Sequence, residues 1–436
     1  MAVGAEAPSR PQGHHATRSS ILSDELVRKL VPVGQVDILV GVPTFNNAAT
    51  IAAVVKTIHI GLARHFPRER TVLINPDRGS DDGTPDRVLS APMADEETRG
   101  SSTLRTTHRV TTRYSGIPGG VGGVRTVFAA ADLLQARAVV VIDADVTGMT
   151  PDWVAELARP IWKNEADLAL PIHPRGRFDG PLVSQLVRPL LGTAYARRLR
   201  SDLAGDFACS GRYAARMVGH AMWDDDLTRP ALDVWLVATA MAEDLRLVQV
   251  NLGPRTFASH GALAELFKSV VGTTLTCLDR HASIWPSRTE PLDVPTRGDR
   301  QAVGDPDSIA DPAPMSERFR TGVADLEPLL RDILTDDTLG RIKAAAASDA
   351  KYPPIADPLW VTTVYEFAAS AHRGVMNREH LTQALVPLYL GRVASFFSEI
   401  VAADEETCTE RLTALEHEYE RLRPYFLELW NADGKR

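Results

Sequence analysis

Two aspartates one residue apart, Asp143 and Asp145, close the run AVVVIDAD at residues 138–145. The run is short, β-branched and almost wholly apolar, as a strand buried on both faces should be. Carboxylates delivered just past such a strand can share a divalent cation and its water shell. Oxygen donors of this kind suit Mg²⁺ or Mn²⁺, with a substrate phosphate completing the coordination. Acidic residues also end many parallel strands as plain solvated turns, so neighbouring segments must carry part of the argument. The run GVPTFNN (41–47) follows a second β-branched stretch, where Pro43 stiffens the turn. Asn46 and Asn47 are there either to contact a nucleotide or to cap the next helix. A third stretch runs into DRGSDDGT (77–84), a Gly- and Asp-rich turn whose first carboxylate, Asp77, could accept hydrogen bonds from a base or ribose.

These groups need a scaffold that brings strand ends together. Strand candidates fall at residues 36–42, 71–75, 138–142, 167–171 and 246–251, and helical patterns at 49–64, 123–136 and 153–164. Strand, helix, strand in that order implies βαβ units and a mostly parallel α/β sheet, whose ligands bind outside the carboxyl ends of the strands. Residues 285–314 are dense in Pro, Asp, Gly and Arg and read as a linker or long surface excursion. Beyond them, 317–347, 359–373, 378–402 and 406–430 are amphipathic and helical, with no strand. The expected organisation is a flexible tail at 1–30, an α/β domain at 31–284, the linker at 285–314 and a helical domain at 315–436.

The chain has 436 residues, and its 56 acidic against 48 basic side chains give a formal charge of −8. That balance argues against a nucleic-acid partner, which is held by clustered Lys and Arg. Cys209, Cys277 and Cys408 lack paired spacing, so neither a disulfide framework nor a zinc site is expected. With no apolar signal-like stretch and no long apolar run, a cytoplasmic protein without a membrane span is expected.

In order and spacing, the three strand-end motifs resemble the GT-A glycosyltransferases, a Rossmann-like fold. QVNLG (249–253) with His260 and LAEL (263–266), and DLAGD (202–206), are similar to motifs of retaining glucosyl-3-phosphoglycerate, glucosylglycerate and mannosylglycerate synthases. The likeness covers roughly residues 36–285; the helical C-terminus resembles longer members that use free glycerate.

The resemblance implies a donor site of Pro43, Thr44, Asn47, Asp77, Arg78, Gly120, Asp143 and Ala144, with Asp77 on the base. It implies Asp145 and His260 as metal ligands, and Asp206 and Asp233 beside the sugar and acceptor. Asp233 could equally start a helix, and Trp153 and Trp235 read as packing rather than sugar platforms. The implied reaction is metal-dependent transfer of glucose, with retention, from UDP-glucose or GDP-glucose to D-glycerate, 3-phosphoglycerate being the alternative acceptor. Mannosylglycerate synthesis is a further alternative, and a sugar-nucleotide-binding protein without transfer is the rival of another class. A homodimer is compatible with the helical C-terminus.

Two departures matter. PGGVGGVR (118–125) lacks the lysine that relatives place at Gly120, leaving Arg125 or Arg113 as substitutes. Pro181 stands where phosphoglycerate-using relatives have an acceptor arginine, which favours free glycerate; Arg175 and Arg177 lie just upstream. In the C-terminal helices His372, Arg373, Asn377 and Arg392 are read chiefly as solvated or snorkelling groups, with a minority role on a carboxylate acceptor.

Overall fold

The computed structural model of the chain describes residues 21–92, 107–114, 120–203, 205–224, 231–255, 263–300 and 311–432. Ten strands are present among them: β1 (Ile38–Gly41), β2 (Thr71–Asp77), β3 (His108–Arg113), β4 (Ala138–Val141), β5 (Leu168–Ile172), β6 (Arg197–Arg198), β7 (Phe207–Ser210), β8 (Leu247–Asn251), β9 (Leu292–Asp293) and β10 (Thr296–Arg297). Eight of them form one sheet in the order β10-β8-β5-β7-β4-β1-β2-β3, and β6 pairs with β9 separately. Every pairing in the large sheet is parallel except those of β7, which runs antiparallel to both β4 and β5. The expected mostly parallel α/β sheet followed by helices is therefore present. The inverted β7 places its first residue, not its last, at the carboxyl edge of its neighbours.

Helices cover both faces. On one, Ile51–His65 and Asp152–Trp162 bury Val54, Ile58, Trp153 and Leu157 against β1 and β4. On the other, Gly120–Leu133, Gly211–Val218 and Leu232–Ala242 enter a core that continues without a break into the C-terminal helices, where Phe319, Trp360, Tyr389 and Trp430 belong to it. Trp360 Nε1 and Tyr419 Oη both donate to the carbonyl of Gln185, at 2.7 and 3.1 Å, and Arg392 Nε donates to its side chain at 3.0 Å. Gln185 lies in the π-helical turn Val183–Val187, so one residue of the sheet-bearing half ties down three helical elements. No described helix is long and apolar enough to cross a membrane.

Three expectations are corrected. The tail does not reach residue 30: Asp24–Leu30 is a helix capped by Ser23, and its Leu26 and Leu30 enter the core. Residues 285–300 are not an unstructured connector, because Trp285 is buried against Phe426 and two strands follow. Finally, the stretches 317–347 and 406–430 are each interrupted. Pro328 and Pro424 lie in the first turns of new helices, Glu327–Ile333 and Arg423–Asn431, where a missing N–H is tolerated.

Candidate active site

The loops after β1, β2, β4 and β8 and the residue before β7 converge at the carboxyl edge of the sheet. Asp145 is exposed at the end of β4, and its Oδ1 accepts from Asn47 Nδ2 at 2.6 Å and from Thr50 Oγ1 at 3.3 Å. Thr50 Oγ1 also donates to the carbonyl of the buried Ala144 at 2.7 Å. Asn47 is not the cap of the following helix; Thr50 holds that position. Its side chain instead accepts from Phe45 N while donating to Asp145.

Asp143 is bridged from the other side. Its N–H donates to Asp206 Oδ1 at 2.7 Å, and its Oδ2 accepts from Arg255 at 2.7 Å. The same guanidinium contacts Asp206 Oδ2. Asp206 is fully buried, and burial pushes its carboxyl up to about 7 against the pull of Arg255 and of the Asp143 N–H. Asp233 Oδ2 accepts from Gly205 N at 2.8 Å, and burial pushes this carboxyl up to about 6. It sits in the first turn of helix Leu232–Ala242, without a side-chain cap bond at that helix start. Gly205 has φ +90°, and a Cβ there would lie 3.8 Å from Asp143 Oδ2, so the glycine allows the loop to turn tightly beside the carboxylates.

Asp77, the carboxylate expected on a base, is held by four protein donors. It is 1% exposed. Its Oδ1 accepts from Thr44 Oγ1 at 2.8 Å and Ser80 Oγ at 2.6 Å, and its Oδ2 from the N–H groups of Gly79 and Ser80 at 2.8 Å each. Four donors fill the lone-pair sites of one carboxylate. Asp77 is thus the anchor that joins the β1 loop to the β2 turn. Arg78 is exposed and lies over the Phe45 ring at 4.9 Å. Pro43 packs on the start of helix Gly120–Leu133, because a Cβ at Gly123 would come within 2.7 Å of it.

Of the two substitutes for the missing lysine, Arg125 is engaged elsewhere. Its Nε donates to the carbonyl of Val218 at 3.3 Å and its guanidinium covers Trp223. Arg113 ends β3 opposite Asp77 in the register, and lines a cleft with it. His260 lies outside the described residues. Trp153 and Trp235 are buried packing groups, as expected. Arg392 is fully buried and paired with Asp357, Asn377 caps helix Arg378–Ile400, and His372 stacks on Trp430.

Arg255 escaped the sequence reading. It follows the end of β8 by four residues, a sheet-edge position that was the only available signal.

Among the described residues no group of three His, Cys, Asp or Glu is placed to hold a metal. The donor set nonetheless fits a hard cation of the Mg²⁺ type, which is commonly held by one or two carboxylates plus substrate phosphates. Exposed Asp145 and half-exposed Asp143 meet that description.

The sheet order, with one inverted strand, gathers the paired aspartates at the carboxyl edge of a mostly parallel α/β sheet. No protein-family model matches the chain, and no curated protein does. Among solved structures it is similar to glucosyl-3-phosphoglycerate synthase from Mycobacterium tuberculosis. The complex with Mn²⁺, UDP and glucosyl-3-phosphoglycerate aligns at 21% identity and TM-score 0.39, over 62% of this chain and 86% of that one. The complex with Mn²⁺, UDP-glucose and phosphoglyceric acid aligns at 22% and 0.39, over 59% and 84%.

Proposed function

We propose that the chain is a metal-dependent glycosyltransferase. It moves glucose, with retention, from a nucleoside-diphosphate glucose (UDP-glucose or GDP-glucose) to a small hydroxy acid, D-glycerate ahead of 3-phosphoglycerate. The carrying observation is the joining of Asp143 and Asp145 to three other loops through Asn47, Asp206 and Arg255.

In this reading Asp143 and Asp145 would hold a divalent cation, which would supply charge stabilisation to the diphosphate leaving group. The bond from sugar C1 to the phosphate oxygen breaks, and the acceptor oxygen bonds to C1 from the same face. The acceptor's proton passes to the departing phosphate. Arg255 adds positive charge beside Asp143, where the diphosphate charge develops. Asp233 fixes Gly205, and with Asp206 it shapes the wall on which sugar and acceptor are oriented.

A second reading, sugar-nucleotide binding without transfer, draws on Arg255, whose guanidinium already neutralises Asp143 and Asp206. Nucleotide release separates the two. UDP- and GDP-glucose and mannose are crossed with D-glycerate and 3-phosphoglycerate, with and without Mn²⁺. Release that requires both metal and D-glycerate, and is lost in Asp145→Ala, supports the transferase. Nucleotide-sugar binding without release under any pairing sinks it.

A further inference from the structure

The parallel strands of the large sheet begin at the edge opposite the carboxylate cluster, and that edge carries a row of charged side chains. In sheet order it reads Arg246 before β8, Asp167 before β5, Arg212 just after the inverted β7, Arg137 before β4, Asp37 before β1 and Arg70 before β2. Backbone bonds knit the row. Asp167 N donates to the carbonyl of Arg246, Gly211 N to that of Arg137, Arg137 N to that of Val36, and Asp37 N to that of Arg70. Six strands at ordinary spacing make it about 24 Å long.

The carboxylates of these turns are committed. Asp167 accepts from Arg246 Nε at 2.9 Å and also faces Arg212, Glu165 pairs with Arg297, Glu243 with Arg216, and Asp244 is shared by Arg197 and Arg288. Asp37 and Glu69 accept from the backbone N–H groups of Arg70 and Arg68. Among the described residues no carboxylate pairs with the side chains of Arg68, Arg70, Arg137 or Lys163, all four exposed. Counted with their partners, the described turns hold ten cations and six carboxylates, an excess of four positive charges on a chain of net −8. Apolar groups are interleaved with them. Val31 is 58% and Leu133 40% exposed, and the half-buried Trp162 lies 5.2 Å from the Arg137 guanidinium that covers it. Arg70 Nη1 donates to the carbonyl of Gln35 at 3.0 Å, and Val36 N to that of Leu134 at 3.1 Å, which brings the Val31 segment and the end of helix Gly120–Leu133 beside the row.

We infer that this edge docks on an anionic lipid bilayer surface, with Arg68, Arg70, Arg137 and Lys163 on lipid phosphates and Val31, Leu133 and Trp162 at the headgroup boundary. Such docking is independent of whether the site at the other edge transfers sugar. A basic row alone suits any polyanion. Exposed aliphatic side chains and a half-buried indole between the cations fit the layered chemistry of a bilayer interface, with phosphate outside and hydrocarbon beneath. Each Lys or Arg close to an anionic surface strengthens binding about fivefold. The rest of the surface carries the acidic excess, so an anionic bilayer attracts this edge and repels the remainder. Docked in this way, the carboxylate cluster at the far ends of the strands faces water and stays open to soluble ligands. Surface docking needs no membrane-spanning helix, and none of the described helices is one.

The test is co-sedimentation of the full chain with vesicles of pure phosphatidylcholine and of an equal mixture of phosphatidylcholine and phosphatidylglycerol, at low and high salt. Binding is expected on the mixed vesicles at low salt, with loss at high salt and on phosphatidylcholine alone. Arg137→Glu combined with Lys163→Glu should weaken it at least about 25-fold, fivefold for each cation removed. Leu133→Ser should weaken it severalfold at every salt concentration, because apolar insertion is not screened. Arg331→Glu combined with Arg341→Glu changes the net charge equally on exposed C-terminal helices and should bind as the wild type does. Melting curves show that each variant is folded. Absence of binding to the mixed vesicles at low salt overturns the inference, as does equal weakening by the two double variants, which would reduce the effect to net charge. Binding indifferent to Leu133→Ser overturns the seating of the apolar groups. Self-association at low salt without vesicles, abolished by Arg137→Glu with Lys163→Glu, would assign the edge to a second copy of the chain and overturn the bilayer.

Discussion

Asn47 donates from Nδ2 to Asp145 Oδ1 at 2.6 Å, so the loop after β1 orients a carboxylate at the end of β4. Partners that orient a ligating group are commonly worth about 10–100-fold in metal affinity or activity. Asn47→Ala should therefore raise the Mn²⁺ concentration needed for half-maximal activity by about that factor. Thermal stability should change little. Activity titrated against Mn²⁺, beside a melting curve, checks both.

Asp77 makes the opposite prediction. Removing its carboxylate strands two backbone N–H groups and two hydroxyls in a buried turn. Asp77→Ala should cost about 3 kcal/mol, read from the urea midpoint. Were Asp77 only a base contact, the donor KM would rise and stability would hold.

Gly123 lets helix Gly120–Leu133 sit against Pro43. Gly123→Ala places a Cβ 2.7 Å from the proline ring and should cost about 1–3 kcal/mol while raising the donor KM. Gly219→Ala is the control, because nothing lies within 4 Å of a Cβ there. A variant at Gly123 that behaves like the control removes the packing argument.

Acid should weaken the fold through two buried histidines. Burial pushes His59 and His173 down to about 4, below the ~6.5 of an unfolded chain. Between those values the unfolded chain binds more protons, so stability is complete above pH ~6.5 and is lost as pH falls toward 4. Each residue accounts for up to about 3 kcal/mol. Urea midpoints measured across that window should fall with acid, and His59→Leu should make the fall shallower.

The strands that carry the site were legible because they are apolar and β-branched. β1, β2, β4, β5 and β8 each stand within two residues of their expected positions. β7 was missed: FACS is four residues of mixed size with no periodic signal, and its inverted direction follows from tertiary pairing. β3 was missed because HRVTTR is a polar edge strand, open on one side. Asp143, Asp145, Asn47 and Asp206 were all named from motifs and do meet. The four donors around Asp77 were not legible, because a motif shows a carboxylate's position and not how many groups donate to it. Arg255 carries no motif, and its contacts to Asp143 and Asp206 exist only after chain closure.

The core shared by the sheet and the C-terminal helices has an evolutionary consequence. A different C-terminal cassette cannot simply be grafted onto the sheet-bearing half. Such a graft would have to reproduce the seat that Gln185 provides for Trp360, Tyr419 and Arg392. Chimaeras joined near residue 312 should therefore fail to fold, and variation in this protein's C-terminal half should proceed by point substitution.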